Sequence, residues 1–307
     1  MIDIVIVNYK STDYLLKCLK SVYDSIRDIP SGVFVYDNDS KNGVDRITIA
    51  FPNVNLTKNI FNMGFTKAVN KGIKQGTAPY VLLLNPDTII KDGFFESTLQ
   101  YIENNPDIGI VGPKVFNPDG SLQGSARAFP TPWMAFFGRN SLLTKWFPNN
   151  RISRKSILST GSDGITPMFA DWLSGACMLI RRTAVDEVGL LDEQFFMYWE
   201  DVDLCKRMWD HEWKVAYFPK ASIVHHVGGS SKNRPLRSII EFHKSSYKII
   251  RKYKITPFYI TNSFIIICLS LRACIMILFN RVGMLSGKLL SFIKSNGSII
   301  RALINSK

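Results

Sequence analysis

The chain has 307 residues and a hydrophobic content of 46%, enough for one large domain with a buried core, or for one domain with an appendage. Its five cysteines include no C-x-x-C pair, which argues against a disulfide framework or a structural zinc site and is typical of a reducing compartment. The net charge of +13 lies at one end, because residues 232–307 contain 14 Lys/Arg and one acid; this favours an anionic membrane surface over nucleic acid as the partner.

The first part of the chain alternates short apolar runs with helical patterns. The N-terminal run contains an acid and no basic region, so it predicts a strand rather than a signal peptide. Strands are predicted at residues 2–7, at 33–36, just before 59 and at 80–84, and helices at 14–26 and 66–75. This order predicts an α/β fold whose mostly parallel sheet has helices on both faces. Ligands of such sheets bind beyond the carboxyl ends of the strands, where Asn8, Asp37 and Asp87 lie.

The second part of the chain is less regular. Residues 126–160 are rich in Pro, Trp, Phe and Asn and are interpreted as a long loop. Residues 172–180 predict a buried strand, and a helix with an acidic start is predicted from residue 200. A further strand near 215–218 precedes a polar segment that contains His225.

The acidic helix start is the most informative segment. Glu200, Asp201 and Asp203 lie within four residues, directly after the aromatic run that ends at Trp199. Mutual repulsion and removal of water both raise a carboxylate pKa, which suits such a group to accept a proton. The alternative is an acidic helix N-terminus that only complements the helix dipole.

Several polar residues near strand ends are candidates for metal and diphosphate binding. Asp87 could hold Mg²⁺ or Mn²⁺, which prefer oxygen ligands. His225 or His226 could add an imidazole ligand, which Mn²⁺ tolerates better than Mg²⁺, although one of the two is expected to be a core residue. The backbone of Gly228 and Gly229 could follow a diphosphate, and its alternative is an ordinary turn.

Other polar residues are candidates for binding a nucleotide. An ionised Asp37 could accept the imide N–H of uracil or thymine, or it could form a local turn. The side-chain amides of Asn62 and Asn70 could face a sugar nucleotide, or they could cap a helix.

The basic tail contains an apolar run. Residues 258–271 carry no charge, Arg272 follows, and residues 273–279 are again apolar. A spanning helix needs about 20 apolar residues, and an arginine inside it costs about 2.5–3.5 kcal/mol. We therefore expect residues 236–307 to form basic amphipathic helices that lie on a membrane, with residues 1–235 as the catalytic domain. The alternatives are a spanning helix and a helix docked on that domain.

Taken in order, these segments resemble glycosyltransferase family 2, the inverting transferases of the GT-A fold, and in particular the bacterial rhamnosyltransferase-like branch of surface polysaccharide assembly. The resemblance covers roughly residues 2–235. It rests on the segments 4–9 (IVIVNY), 35–40 (VYDNDS), 62–65 (NMGF) with Asn70 and Gly72, 82–87 (LLLNPD), 173–176 (LSGA) with Arg181 and Arg182, 189–193 (GLLDE) with Phe195 and Phe196, 199–204 (WEDVDL) and 226–229 (HVGG).

The resemblance implies roles for individual residues. Asp201 would be the general base, with Glu200 and Asp203 as rivals. Asn85 stands where many relatives have Asp, so the metal at Asp87 would also use His226 or His225. The expected contacts to the nucleotide sugar are Asn8, Tyr9, Asp37, Asn62, Gly64, Asn70, Asn85 and Asp87. The expected acceptor and sugar pocket consists of Trp172, Ser174, Gly175, Ala176, Trp199 and Asp203.

The resemblance also implies substrates and a location. The donor would be dTDP-rhamnose or a UDP-sugar, and the acceptor a polyprenyl-diphosphate-linked glycan at the cytoplasmic face of the bacterial inner membrane. Two alternatives are a nucleotidyltransferase and a non-catalytic membrane scaffold. The first usually has a Gly-rich loop after its first strand, where this chain has residues 8–12 (NYKST). Intact carboxylates at Asp87 and Asp201 argue against the second.

Overall fold

The computed structural model describes residues 1–40, 43–131, 156–226, 228, 235–255 and 262–279.

Four parallel strands form the N-terminal half of the central sheet. The strands pair in the order β3-β2-β1-β4. Their bounds are β1 Ile2–Asn8, β2 Ser31–Asn38, β3 Asn55–Asn59 and β4 Tyr80–Leu84, and the helices between them are α1 Thr12–Ile26, α2 Asp45–Ala50 and α3 Phe65–Gln75. The strands and helices predicted for this half are confirmed.

The sheet continues beyond β4 with mixed strand directions. The further strands are β5 Thr88–Ile90, β6 Ile108–Phe116, β7 Leu122–Gln123, β8 Ala126–Arg127, β9 Met168–Phe169, β10 Trp172–Leu173, β11 Cys177–Arg181 and β12 Lys214–His225. The order in the ten-stranded sheet is β3-β2-β1-β4-β11-β6-β12-β5, with β7 beside β6 and β9 beside β12, while β8 and β10 form a small second sheet. The further helices are α4 Phe94–Glu103, a short 3-10 helix Leu158–Gly161, α5 Arg182–Val188, α6 Glu200–Asp210, α7 Pro235–Lys252 and α8 Asn262–Phe279.

Two predictions for the second half need correction. Residues 172–180 are not one strand, because β10 pairs with β8 while β11 inserts antiparallel between β4 and β6. The predicted strand at 215–218 is only part of the longer β12. In the predicted loop at 126–160, residues 132–155 lie outside the described part of the chain, and β8 and the 3-10 helix lie at its two ends.

Side chains that alternate along the strands build a core on each face of the sheet. Ile4 and Ile6 of β1 pack in one buried cluster with α1, and Val5 and Val7 pack in the other with α3. Because β1 and β2 are parallel and in register, Asn8 lies opposite Asp37 where both strands end. The fold thereby gathers the strand-end polar residues at one edge, as the sequence predicts.

Helix α8 follows α7 and is long and apolar enough to cross a membrane. Its large apolar side chains are mostly exposed, among them Phe264, Ile267, Leu271 and Leu278. The guanidinium of Arg272 lies 5.7 Å from the ring centre of Phe242 in α7. Whether α8 spans a membrane or lies on it stays a prediction, as does the domain boundary at residue 235.

Candidate active site

The ends of β1 and β2 form a buried polar cluster. Asn8 Nδ2 donates to Asp37 Oδ1 at 2.7 Å and to Ser40 Oγ at 3.1 Å, and Asp37 Oδ2 accepts the backbone N–H of Ser40 at 2.9 Å. The Asp37 side chain therefore forms a local turn bond, as its alternative interpretation expects. Each carboxylate oxygen has a further lone pair, so a bond from a nucleobase imide stays a prediction. Tyr9, half-buried, follows Asn8 at this edge.

The segment before α3 is shaped by a glycine. Asn62 Oδ1 accepts the backbone N–H of Gly64 at 2.9 Å. Gly64 has a φ of +98°, and a Cβ there would come within 2.8 Å of the Phe196 ring. The backbone N–H of Phe65 donates to the Phe196 carbonyl at 2.8 Å. This turn is thereby fixed against the segment that leads into α6.

Asn70 of α3 has a different environment from the one expected for a donor contact. Its Nδ2 donates to the Leu191 carbonyl at 2.8 Å and to Glu193 Oε1 at 3.1 Å, while its Oδ1 accepts the Leu191 N–H at 3.1 Å. Asn70 is buried, and both its N–H groups are engaged. These bonds hold the segment around residue 191 in place, and a contact of Asn70 to the donor stays a prediction.

The end of β4 carries a buried carboxylate. Asp87 is 3% exposed, and among the described residues its Oδ1 has no hydrogen-bond partner. His225 Nε2 lies 3.3 Å from this oxygen. The His226 ring instead packs on Tyr14, at 5.5 Å between ring centres. The structure thus brings His225, but not the His226 side chain, to Asp87.

Gln123 orients the imidazole of His225. Gln123 Oε1 lies 2.8 Å from His225 Nδ1, and Gln123 Nε2 donates to Asn117 Oδ1 at 2.9 Å. An amide oxygen only accepts, so in neutral His225 it places the proton on Nδ1 and leaves the Nε2 lone pair facing Asp87. A buried carboxylate oxygen and an imidazole lone pair that converge in this way fit a divalent cation such as Mn²⁺ or Mg²⁺. Groups of three His, Cys, Asp or Glu that could hold a metal do not occur within the described residues.

The start of α6 holds a pair of carboxyl groups with different surroundings. Burial, and then the charge of Asp201, raise the pKa of Glu200 to about 8. Glu200 is 7% exposed, and its Oε2 has no hydrogen-bond partner in the part of the chain that the structure describes. Burial also raises the pKa of Asp201, but its Oδ2 accepts the Gly175 N–H at 3.0 Å and its Oδ1 accepts the Val202 N–H at 2.9 Å. These two bonds stabilise the anion at Asp201, so within the pair they favour the proton on Glu200.

The loop at residues 174–176, between β10 and β11, hydrogen-bonds both to the end of β4 and to the first turn of α6. The Asn85 N–H donates to the Ala176 carbonyl at 2.9 Å, and Gly175 donates to Asp201. The Ser174 N–H donates to the Ser125 carbonyl at 2.9 Å, which ties the loop to the segment before β8. These bonds link the residue directly after β4 to the first turn of α6.

The two tryptophans of the expected pocket precede two elements of the site in the chain, Trp172 the loop at 174–176 and Trp199 helix α6. Trp172 Nε1 donates to the Ala128 carbonyl at 2.9 Å, and the Arg127 guanidinium lies 5.2 Å from the Trp172 ring centre. Trp199 immediately precedes Glu200, and its Nε1 is buried without a hydrogen-bond partner from the described residues. Stacking of either ring on a sugar stays a prediction.

Residues 2–240 match the family model described as glycosyltransferase-like family 2. The chain belongs to this family. It is 32% identical, over 80% of its own length and 83% of the relative's, to an N-acetylglucosaminyl-diphospho-decaprenol L-rhamnosyltransferase of Mycobacterium tuberculosis. It is 23% identical, over 83% and 94% of the two lengths, to the rhamnosyltransferase WbbL of Escherichia coli. The protein is therefore a glycosyltransferase, and the two alternative interpretations, a nucleotidyltransferase and a non-catalytic scaffold, are wrong.

Solved structures agree with the fold. GalNAc-T7, crystallised with UDP, GalNAc and Mn²⁺, superposes with a TM-score of 0.55 at 16% identity, over 74% of this chain and 44% of that chain. S. aureus TarS 1-349 in complex with UDP superposes with a TM-score of 0.50 at 15% identity, over 87% and 69%. The predicted GT-A fold is confirmed.

Within this glycosyltransferase, Asp203 does not line the acceptor pocket. Its side chain is 0% exposed and binds Arg207 Nε at 3.0 Å, Lys252 Nζ at 2.5 Å and the Tyr253 hydroxyl at 2.8 Å. Because Asp203 is fully buried and bound by these three donors, it has a structural role and is not available as a rival base. The sequence does not predict the role of Gln123, which depends on β7 pairing with β6 so that the Gln123 side chain reaches His225 at the end of β12. Gly228 lies in a turn with a φ of +81°, and Gly229 lies outside the described residues.

Proposed function

We propose that this glycosyltransferase transfers L-rhamnose from dTDP-rhamnose to a polyprenyl-diphosphate-linked glycan, with inversion at the anomeric carbon, in the synthesis of a bacterial surface polysaccharide. The rhamnosyltransferase relatives support this choice of donor and acceptor. The geometric support is the loop that contains Gly175 and Ala176. Its hydrogen bonds link Asn85, next to the strand-end carboxylate Asp87, to the proposed base Asp201. The same mechanism with a UDP-sugar is the alternative.

In the proposed reaction, Asp201 accepts the proton of an acceptor hydroxyl. The hydroxyl oxygen forms a bond to the anomeric carbon while the bond from that carbon to the diphosphate breaks, and this single displacement inverts the configuration. Glu200 keeps its proton and so adds no second negative charge beside the base. Asp37, held by Asn8, would accept the imide N–H of the base.

Asp87 and His225 are the residues that we expect to hold a divalent cation. Bound there, the cation would neutralise the charge of the departing diphosphate. The support is the buried carboxylate oxygen that faces the His225 lone pair, with Gln123 orienting the ring. Asn85, in place of an acid, removes one ligand that many relatives have.

We propose a peripheral position at the cytoplasmic face of the inner membrane. The acceptor would be anchored there, and the support is the exposed apolar helix α8 together with the excess of basic residues after residue 231. Concentrating the enzyme at this surface would bring the base close to a lipid-linked hydroxyl.

The first experiment is a donor screen by thermal shift in the presence of Mn²⁺. The melting midpoint should rise most with dTDP-rhamnose among several nucleotide sugars, because a bound ligand stabilises the folded state by mass action. Asp87→Ala should abolish the shift, whereas Asp92→Ala, an exposed acid nearby, should keep it. A larger shift with a UDP-sugar would overturn the choice of donor, and no shift with any of these nucleotide sugars would overturn the proposed donor site.

The role of Asp201 is tested by turnover. Asp201→Asn should lower transfer by roughly 100- to 10,000-fold, the contribution of a positioned general base. The control is Asp210→Asn at the far end of the same helix, where an exposed ion pair with Lys206 contributes little. Full activity in Asp201→Asn would contradict the assignment.

A further inference from the structure

Helix α7 packs along the segment that leads into the carboxyl pair. Its contacts begin at residue 192 and continue to Trp199, directly before Glu200. They are Asp192 with Lys252 at 2.6 Å, the Gln194 carbonyl with Lys248, the Phe196 ring with Arg237 at 4.9 Å, the Met197 carbonyl with the Ser245 hydroxyl at 2.9 Å, and the rings of Tyr198 and Trp199 with Phe242 at 5.8 and 5.7 Å. One helix thus supports the whole approach to the site.

The backbone of this segment is strained where it enters α6. Tyr198 and Trp199 have φ values of +70° and +71°, the left-handed region that residues with a Cβ disfavour. Two such residues in succession persist only when their surroundings hold them. The Phe242 ring contacts both side chains, so α7 provides part of that support.

A second attachment lies beyond the carboxyl pair, in the first turn of α6. Asp203 is fully buried and accepts from Lys252 of α7, from Tyr253 directly after it and from Arg207 of α6. Lys252 also pairs with Asp192. The chain is therefore fastened on both sides of Glu200 and Asp201 by the same C-terminal helix.

We propose that α7 is a positioning element for the catalytic carboxyl pair, with Phe242, Lys252 and Tyr253 as its positioning residues. All three lie beyond residue 240, where the match to the family model ends, so this support is additional to the family's motifs. The inference rests on the proposed role of Asp201 as the base. It assigns α7 a role in positioning the base that is separate from any membrane binding by the C-terminal residues.

The first test measures turnover in the full-length protein. Phe242→Ala and Tyr253→Phe should lower kcat roughly 10- to 100-fold, because small displacements of a catalytic group have effects of this size. The donor KM should stay within about twofold, because the contacts of α7 given above go to residues 192–203. Ile240→Ala removes an exposed side chain of the same helix and should leave kcat unchanged. An unchanged kcat in both Phe242→Ala and Tyr253→Phe would overturn the proposal.

The pH profile separates positioning from loss of structure. The charged groups around the pair are Asp203 on α6 and Arg127 on β8, and Asp203 is faced by Arg207, Lys252 and the Tyr253 hydroxyl. Lys252→Met removes a cation from Asp203, whose charge already raises the pKa of Glu200, so the acid limb of kcat/KM should move to higher pH. Lys252→Arg should restore the wild-type limb, and Lys244→Met, an exposed lysine of α7, should not move it. An acid limb that stays in place in Lys252→Met would contradict the proposal.

Hydrogen exchange tests the inference without any donor. Phe242→Ala, or Phe242→Leu if the first variant does not fold, should raise amide exchange in residues 194–203 and leave β1 to β4 unchanged. If dTDP-rhamnose proves to be the wrong donor, this measurement still decides whether α7 holds the segment. Unchanged exchange in residues 194–203 would overturn the proposal on its own.

Discussion

At the scale of single residues, the two neighbouring acids Glu200 and Asp201 differ in what surrounds them. Asp201 accepts two backbone N–H bonds, whereas Glu200 is buried and its Oε2 has no hydrogen-bond partner among the described residues. The acidic spacing in the sequence predicts raised pKa values for the group. It does not say which acid keeps the proton, because the Gly175 N–H that decides this comes from a loop distant in sequence.

The raised pKa of Glu200 predicts a dependence of stability on pH. Its folded pKa of about 8 exceeds the ordinary value of 4.5, so between these pH values the folded protein holds a proton that the unfolded chain releases. Stability from this group is therefore present at low pH and is lost as the pH rises towards 8. Glu200→Gln has no group that titrates here. The difference between its melting midpoint and that of the wild type should therefore increase by a few degrees in favour of the variant from pH 5 to pH 8.

This comparison has a simple control. Glu96→Gln changes an exposed glutamate of α4 and should keep a constant difference from wild type across the same pH range. Differential scanning calorimetry at several pH values measures both variants. A difference for Glu200→Gln that does not change with pH would show that Glu200 is ionised in the folded protein.

Gln123 allows a second prediction at this scale. Gln123→Ala removes the acceptor that holds the proton on His225 Nδ1, and losing such an orienting partner typically costs 10- to 100-fold in metal affinity. Calorimetric titration with Mn²⁺ should show this loss, while Gln100→Ala, an exposed residue of α4, should bind as wild type. Equal affinity in Gln123→Ala would argue against His225 as a ligand.

At the scale of elements, the packing of α3 on β1 depends on a glycine inside a helix. Replacing Gly72 by Ala should favour the helix itself by about 0.5–1 kcal/mol. An added Cβ would, however, come within 2.4 Å of a Val5 methyl group that is fully buried, and overpacking of this kind costs about 1–3 kcal/mol. The cost of the clash exceeds the gain in helix stability, so Gly72→Ala should lower the free energy of unfolding by about 1–2 kcal/mol.

Chemical denaturation measures this effect. Gly161→Ala is the matched control, because a Cβ there meets nothing within 4 Å. Adding Val5→Ala to Gly72→Ala should recover part of the loss by making room for the new methyl group. A Gly72→Ala protein as stable as wild type would mean that α3 can shift away from the sheet.

The elements that the sequence predicted correctly are those with local signals. Apolar runs and helical spacing locate β1 to β4 and the helices between them, and parallel pairing then predicts that Asn8 and Asp37 meet. The sequence does not predict the break between β10 and β11 at residues 174–176, because the apolar pattern is continuous there. The two strands differ only in their partners, since β10 pairs with β8 and β11 with β4. Asp203 was misassigned for a similar reason, since its partners Lys252 and Tyr253 lie about 50 residues away.

At the scale of the whole molecule, the basic tail contains two parts with different environments. Helix α7 contacts residues 192–203 through Phe242 and Lys252, whereas α8 exposes most of its apolar side chains. The sequence predicted a single membrane-associating region from residue 236, because charge and hydropathy do not reveal which helix has a protein partner. Contacts to residues 192–203 distinguish the two.

This division predicts the outcome of removing residues 257–307. The shortened protein should lose binding to anionic vesicles, because it lacks α8 and the basic residues after it, each worth about 1 kcal/mol near such a surface. It should still glycosylate a water-soluble acceptor analogue, because Phe242, Lys252 and Tyr253 remain. Vesicle flotation and turnover with the soluble analogue measure the two properties separately.

The same experiment at high salt tests how the full-length protein is held. A peripheral protein bound through basic residues should leave vesicles as the ionic strength rises, because salt screens exposed charges. A spanning α8 would keep it bound, since burial of apolar side chains in the bilayer does not depend on such screening. Loss of turnover with the soluble acceptor on removal of residues 257–307 would contradict the division, and would assign α8 to the catalytic body through contacts such as that of Arg272 with Phe242.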